Sequence, residues 1–226
     1  MINLLLRGWN WCCRFRHRCG YGVHSPSDFY LITFVAYEKL PFYAYQPLHA
    51  RRRAMESFPH YREKVDKFIF RLTNYLSPLC IWEFGTASGL TTLYMATARQ
   101  VPVYTCEEGM MHPCVTALLK EQQNISIQKG GIDAFLREAG IRKDNPGLIH
   151  LGNIEHYQEV FEAILPYTNQ HTCLIIGNPH QNKEKKEWWK KVISDPRVGV
   201  TFDFYDIGLV FFDRKRVKEH RIVNFL

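Results

Sequence analysis

From residue 81 onward, short apolar runs alternate with longer stretches whose apolar positions recur every three to four residues, a pattern that predicts strands alternating with helices. Ile81-Trp82-Glu83-Phe84 opens the series, and Leu90-Thr91-Thr92-Leu93-Tyr94-Met95-Ala96 is the apolar-rich helix behind it. Residues 101–107 read as a second strand, 115–120 as a helix and 124–128 as a short third strand. A helix follows over 132–139, with Gly140 as its C-cap. Residues 147–151 form a fourth strand and 157–165 the next helix. Thr172-Cys173-Leu174-Ile175-Ile176 is continuously apolar after its first residue, as a parallel strand covered on both faces requires. The helix over 183–194 is strongly charged on one side. Two last strands, 198–204 and 209–212, are joined by a turn at Tyr205-Asp206-Ile207-Gly208, and so short a connection forces antiparallel pairing. The expectation is an α/β fold, a doubly wound sheet of seven strands with an antiparallel last strand.

Residues 1–75 precede the first strand and read as mostly helical. In Gly22-Val23-His24-Ser25-Pro26, Ser25 is a natural N-cap and Pro26 suits the first helical position, leading into a helix over 29–37. A second helix is expected over 62–76, with Val65, Phe68, Ile69 and Leu72 on one face. The chain thus divides into an N-terminal helical segment, 1–75, and an α/β domain, 76–226.

The richest local pattern is Glu83-Phe84-Gly85-Thr86-Ala87-Ser88-Gly89, between the first strand and its helix. Glycine is needed where the backbone turns sharply and passes close to a ligand. The helix start beyond it offers free N–H groups and a positive dipole end. The spacing is not the Gly-x-Gly-x-x-Gly of dinucleotide sites. Glu107 lies at the tip of the second strand, about twenty residues on, the separation at which a βαβ nucleotide site places a ribose-binding acid. The plainer alternative is that Glu83 caps the following helix while Glu107 and Glu108 are solvated strand-end charges.

Acid-x-Gly-x-x-x-Gly followed by Glu107 resembles the first motifs of class I S-adenosylmethionine-dependent methyltransferases, and the antiparallel final pair resembles their seventh strand. The Gly-Val-His-Ser-Pro start, with Asp195-Pro196-Arg197-Val198 and Gly208-Leu209-Val210-Phe211-Phe212, extends the likeness over nearly the whole chain, toward a bacterial subset of the family. The resemblance implies that S-adenosylmethionine is held by Glu83, Gly85, Thr86, Ala87, Ser88, Gly89 and Glu107. It also places Asp133 or Gln128 near the adenine, although Gly131 stands where an acid is often found. The N-terminal segment is then a lid over the cleft, with His24 a candidate pocket residue.

Departures from the family pattern bear on mechanism. The fourth strand runs into Gly152-Asn153-Ile154-Glu155 and the fifth into Gly177-Asn178-Pro179-His180, where related catechol-type enzymes carry magnesium-binding acids. Mg²⁺ demands hard oxygen ligands in octahedral geometry, and two glycines supply none, so no such metal site is expected. Methyl transfer needs chiefly positioning, with a base only where the acceptor must lose a proton. Candidate bases are His156, His180, His24 and Glu155. Asn178-Pro179-His180 partly echoes the Asn-Pro-Pro-aromatic motif of amino-group methyltransferases.

Composition narrows the setting. The chain has 226 residues and a formal charge of +7, enough to weigh nucleic acid as a partner. The positive charge sits in separate clusters, Arg7 with Arg14, Arg16 and Arg18, then Arg51-Arg52-Arg53, then Lys183 to Lys191, read as solvated faces. Trp188-Trp189 reads as one core anchor and one exposed ring. Seven cysteines without a regular framework point to reduced thiols and a cytoplasmic protein. Adjacent Cys12 and Cys13 are poorly placed to bind one tetrahedral ion together. Met1-Ile2-Asn3-Leu4-Leu5-Leu6 is too short before Arg7 for a secretory signal. The leading expectation is a metal-independent methyltransferase acting on a small molecule. A degenerate relative kept as a binding or interaction module, and an RNA methyltransferase, remain alternatives.

Overall fold

The computed structural model describes residues 4–128, 130–142 and 145–226. Met1, Ile2 and Asn3, part of the stretch read as too short for a signal, lie outside the described residues. Strands β1 (Ile81–Phe84), β2 (Val103–Cys106), β3 (Ile125–Gln128), β4 (Leu148–Leu151), β5 (Cys173–Gly177), β6 (Thr201–Asp203), β7 (Ile207–Phe211) and β8 (His220–Ile222) join in one sheet, ordered β3-β2-β1-β4-β5-β7-β6-β8. β1 to β5 run parallel. β7 is antiparallel to both β5 and β6. The sheet has one strand more than the seven expected. β8, His220-Arg221-Ile222, pairs parallel to β6 at the edge and is too short and polar to carry a periodic signal.

Helices α1 (Leu4–Cys13), α2 (Pro26–Tyr30), α3 (Tyr45–Ala54) and α4 (Glu63–Leu76) precede the sheet. α5 (Leu90–Ala98), α6 (Pro113–Lys120), α7 (Gly131–Arg142), α8 (Tyr157–Ile164) and α9 (Lys183–Ser194) connect its strands. Ser25 caps α2 as its sequence predicts, its Oγ accepting from the Asp28 N–H, and the helix continues as a wider π-helical turn over Leu31–Ala36. α7 runs through Gly140 to Arg142, so the glycine lies inside the helix instead of ending it. Gly140 is exposed there, with the Tyr167 hydroxyl 3.6 Å from where a Cβ would stand.

Each sheet face has its own core. On one, Val65, Phe68, Ile69 and Leu72 of α4 meet Ile81, Val103, Ile175 and Phe202, joined by Leu31, Ile32 and Val35. The N-terminal helices therefore share a core with the strands. On the other, Trp82, Phe84, Ile149 and Leu174 pack under Phe135, Phe161, Trp188 and Trp189. Both adjacent tryptophans are buried, correcting the expectation that one is exposed: Trp188 stacks edge-on with Tyr157 and Phe161 while Trp189 lies over Gly208. β1 lies between β2 and β4, where the strand order reverses. Doubly wound sheets open their ligand crevice at the carboxyl ends of the strands flanking such a switch.

Candidate active site

The loop after β1 is held in an uncommon shape. Gly85, Ala87 and Gly89 all have positive φ, at 88°, 49° and 73°. Ala87 takes this left-handed conformation despite its Cβ, at a cost of about 1–2 kcal/mol. Its N–H donates to Glu107 Oε2 at 2.7 Å, so the acid at the tip of β2 braces the strained residue. A Cβ on Gly85 would lie 2.5 Å from Ile154, which explains a glycine at that turn.

Glu83 stands beneath this loop, fully buried. Thr105 Oγ1 donates to its Oε2 at 2.7 Å, and Thr92 Oγ1 donates to the same oxygen. Its Oε1 faces His150 Nδ1 at 2.9 Å. Thr86 Oγ1 reaches Thr105 Oγ1 at 2.6 Å, connecting the loop to the network. On the other side of the ring, His150 Nε2 lies 3.1 Å from the Tyr61 hydroxyl. Next to it, Asp66 is fully buried, accepting from Arg52 at 2.7 Å and Thr91 at 2.8 Å. Burial pushes the Asp66 carboxyl up to about 7, against the pull of Arg52, Thr91 and His150. Arg52, read from sequence as one of three solvated arginines, is thus a buried counter-ion.

Two cavities open at the carboxyl ends of the strands. The larger, about 880 Å³, lies beyond β2 and is lined by Glu107, Glu108, Met111, Leu119, Ile125 and Ile127, among others. The smaller, about 120 Å³, lies over the switch point between the loop and His60, Tyr61, His150, Gly152 and Asn178. The Tyr61 hydroxyl is 2.0 Å from where a Cβ on Gly177 would stand, and so fills the space a side chain at the end of β5 would need. Burial, with the charges of Asp66, Glu83 and Asp206, raises the Tyr61 phenol far above its ordinary range.

The sequence candidates divide by position. Gly85, Thr86, Ala87 and Ser88 line the smaller cavity and Glu107 the larger, with Glu83 buried behind them, whereas Gly89 lines neither and packs against Val115 and Leu119. Asp133 is exposed on the first turn of α7, outside the residues lining the larger cavity, which Gln128 and Gly131 do line. His156 is exposed at the start of α8, its Nδ1 3.9 Å from Glu159. His24 is exposed beside Ser25, whose Oγ meets Arg216 on the far side of the sheet edge. His180 turns away from the cavities: its Nε2 lies 2.7 Å from Asp203 and 3.2 Å from Arg14, and its ring stacks on Tyr205.

That cluster docks α1. Arg7 grips Asp206 through two bonds of 2.8 and 3.0 Å, Arg62 adds two more of 3.1 and 2.6 Å, and Arg14 meets Asp203 at 2.9 Å. Burial works against both aspartates. Arg7 and Arg62 nevertheless hold Asp206 below the usual carboxylate range, and His180 with Arg14 hold Asp203 lower still. Two of the four N-terminal arginines are therefore committed inward. Lys185, expected on a solvated face, is also buried, 5.1 Å above the Tyr157 ring, and burial lowers its ammonium to about 8.

Sequence reasoning missed Tyr61 and His150. A histidine inside the apolar run Leu148-Ile149-His150-Leu151 was a usable signal, because a buried imidazole needs partners. Tyr61, in an irregular segment, offered none.

This arrangement of sheet, glycine loop and strand-tip acid defines a doubly wound α/β domain whose crevice opens at the switch point. Comparison with solved structures makes the fold specific. An O-methyltransferase from Bacillus cereus, in complex with S-adenosylhomocysteine, matches with a TM-score of 0.61 at 17% identity over 79% of this chain and 95% of its own. The O-methyltransferase TomG from Streptomyces achromogenes, in complex with S-adenosylmethionine, gives 0.59 at 13%, covering 79% and 93%. A Staphylococcus aureus protein proposed to be a caffeoyl-CoA O-methyltransferase gives 0.62 at 15%, covering 83% and 100%. No protein-family model and no curated protein matches the sequence. The chain has the Rossmann-like fold of class I methyltransferases.

Proposed function

We propose that the protein is an S-adenosylmethionine-dependent methyltransferase acting on a small molecule without a metal ion. The observation that carries this reading is the position of Glu107, which braces the glycine loop at Ala87 and also borders the 880 Å³ cavity. That volume lies within the range of about 300–1,000 Å³ typical of small-molecule sites. The residues present fit the cofactor. Glu107 offers an acceptor for ribose hydroxyls, and Met111, Leu119, Ile125 and Ile127 offer an apolar bed for a purine. Gly85, Thr86, Ala87 and Ser88 border the smaller cavity, where the methionyl end belongs. When bound, the cofactor supplies an electrophilic methyl group on a sulfonium.

Metal independence is supported by the strand tips. Gly152 and Gly177 bring no oxygen side chain, and the Tyr61 hydroxyl fills the space an acid at 177 would need. The free thiols of all seven cysteines support a reducing, cytoplasmic setting. Among the described residues no helix is long and apolar enough to cross a membrane. An RNA substrate is disfavoured because Arg7 and Arg14 are spent on Asp206 and Asp203.

Calorimetric titration with S-adenosylmethionine and S-adenosylhomocysteine tests the reading. Micromolar binding is expected. Absence of binding at millimolar ligand would overturn it and favour a non-catalytic interaction module.

A further inference from the structure

We propose that Tyr61, His150 and Glu83 form a proton relay that draws a proton from a hydroxyl group seated in the smaller cavity, making the site one for O-methylation. The proposal rests on the methyltransferase reading above and adds to it the acceptor chemistry and the base.

The relay is built from three separate elements: β1 brings Glu83, β4 brings His150, and the segment before α4 brings Tyr61. Thr92 and Thr105 both donate to Glu83 Oε2, which fixes the carboxylate and leaves Oε1 directed at His150 Nδ1. A carboxylate only accepts, so Nδ1 carries the proton and Nε2 keeps its lone pair. The Tyr61 hydroxyl, 3.1 Å away, then donates to Nε2. Tyr61 and His150 both line the 120 Å³ cavity. The chain of bonds therefore points one way, from the cavity toward Glu83.

Charged groups around the relay come from every side: Asp66 on α4, Arg52 on α3, and Asp206 in the turn before β7. Arg52 is spent on Asp66, and burial, reinforced by the carboxylates, keeps the Tyr61 phenol protonated. Tyr61 thus gives up its proton only as it receives another. In the step, the acceptor hydroxyl proton passes to Tyr61 Oη while the Oη proton passes to His150 Nε2. The acceptor oxygen forms its bond to the methyl carbon as the sulfur–methyl bond breaks, its electron pair staying on sulfur. Glu83 balances the imidazolium that results. A thiolate, carboxylate or free amine needs no such base, whereas a hydroxyl does. At about 120 Å³ this space is smaller than the roughly 150 Å³ cavity that holds benzene, so beside the methionyl end it takes only the hydroxyl-bearing tip of an acceptor.

The first test is ¹⁵N NMR of the histidine rings of the full chain with saturating S-adenosylhomocysteine, His150 being assigned by its loss in His150→Asn. The expected result is a neutral His150 ring that carries its proton on Nδ1 and leaves Nε2 unprotonated. A ring that is cationic, or neutral with its proton on Nε2, overturns the relay whether or not an acceptor is in hand. Tritiated-methyl transfer from S-adenosylmethionine to simple phenols is the second test. Tyr61→Phe should lower kcat by about 10²–10⁴-fold, the range for lost general-base catalysis, with affinity for S-adenosylhomocysteine kept. Glu83 is a positioning residue, and Glu83→Gln should displace the acid limb of the pH–rate profile. An unchanged kcat in Tyr61→Phe also overturns the proposal. Failure of the wild-type chain to bind S-adenosylhomocysteine removes the methyltransferase reading itself, whereas binding with the wrong ring protonation removes the relay alone.

Discussion

Glu107 and Asp66 are both acids near the crevice, yet their surroundings give them opposite behaviour. Glu107 stays half-exposed with one oxygen on a backbone N–H, free to accept more. Glu107→Ala should weaken S-adenosylhomocysteine binding by about 1–3 kcal/mol, the loss expected for charge-assisted hydrogen bonds, as calorimetry will measure. Asp66 is buried deeply enough that its carboxyl rises to about 7, above its unfolded value near 3.9. Between those values the folded chain binds more protons than the unfolded one, so this group lowers stability as pH climbs from about 4 to 7. Urea unfolding across that window should show a shallower decline in Asp66→Asn than in the wild-type chain. The loop glycines and Glu107 were legible in the sequence because their spacing along the chain is itself the signal. The bond between Tyr61 and His150 was not, because it joins positions 89 residues apart and only the fold brings them together. Glu83 was legible as an acid at a strand end, but not its partners Thr92, Thr105 and His150.

Among the elements, the parallel strands and their helices followed from apolar periodicity and α9 stands where the pattern placed it, whereas β7 of the antiparallel return begins at Ile207, inside the expected turn. Misses fell at a glycine that did not stop its helix, at a paired tryptophan that packing covered, and at a very short element: exposed Gly140 inside α7, Trp188 and Trp189 both buried, and β8 with three residues. The docking of α1 could not be read from the sequence at all, since Arg7 and Asp206 are 199 positions apart. It yields a prediction about acid. Asp206 is held below its unfolded value, so its contribution is complete above about pH 4 and is lost as pH falls through the folded value. Asp206→Asn should therefore cost about 2 kcal/mol in urea unfolding at neutral pH. The difference from wild type should vanish in acid. Limited proteolysis of the variant at neutral pH should release α1 first, because Arg7 loses its anchor.

For the molecule as a whole, two cores on opposite faces of one sheet, with the N-terminal helices built into one of them, predict a single cooperative unfolding transition. A ligand that binds only the folded state raises stability by about 2.7 kcal/mol at a hundredfold excess over Kd. S-adenosylhomocysteine at that excess should raise Tm by about 5–10 °C in a chain of this length, which differential scanning fluorimetry will read. The same ligand should leave Tm unmoved in a variant whose loop no longer binds it.

The Tyr61 hydroxyl beside Gly177 constrains the order in which this crevice can change over evolutionary time. While Tyr61 is present, even one added carbon at 177 collides with it, so an acid cannot arise there first. Tyr61 must shift or shrink before position 177 can grow, so the two sites form an epistatic pair. A lineage that drew on the relay for its chemistry would give it up at that first step. The tyrosine thus acts as a ratchet that keeps position 177 without a side chain.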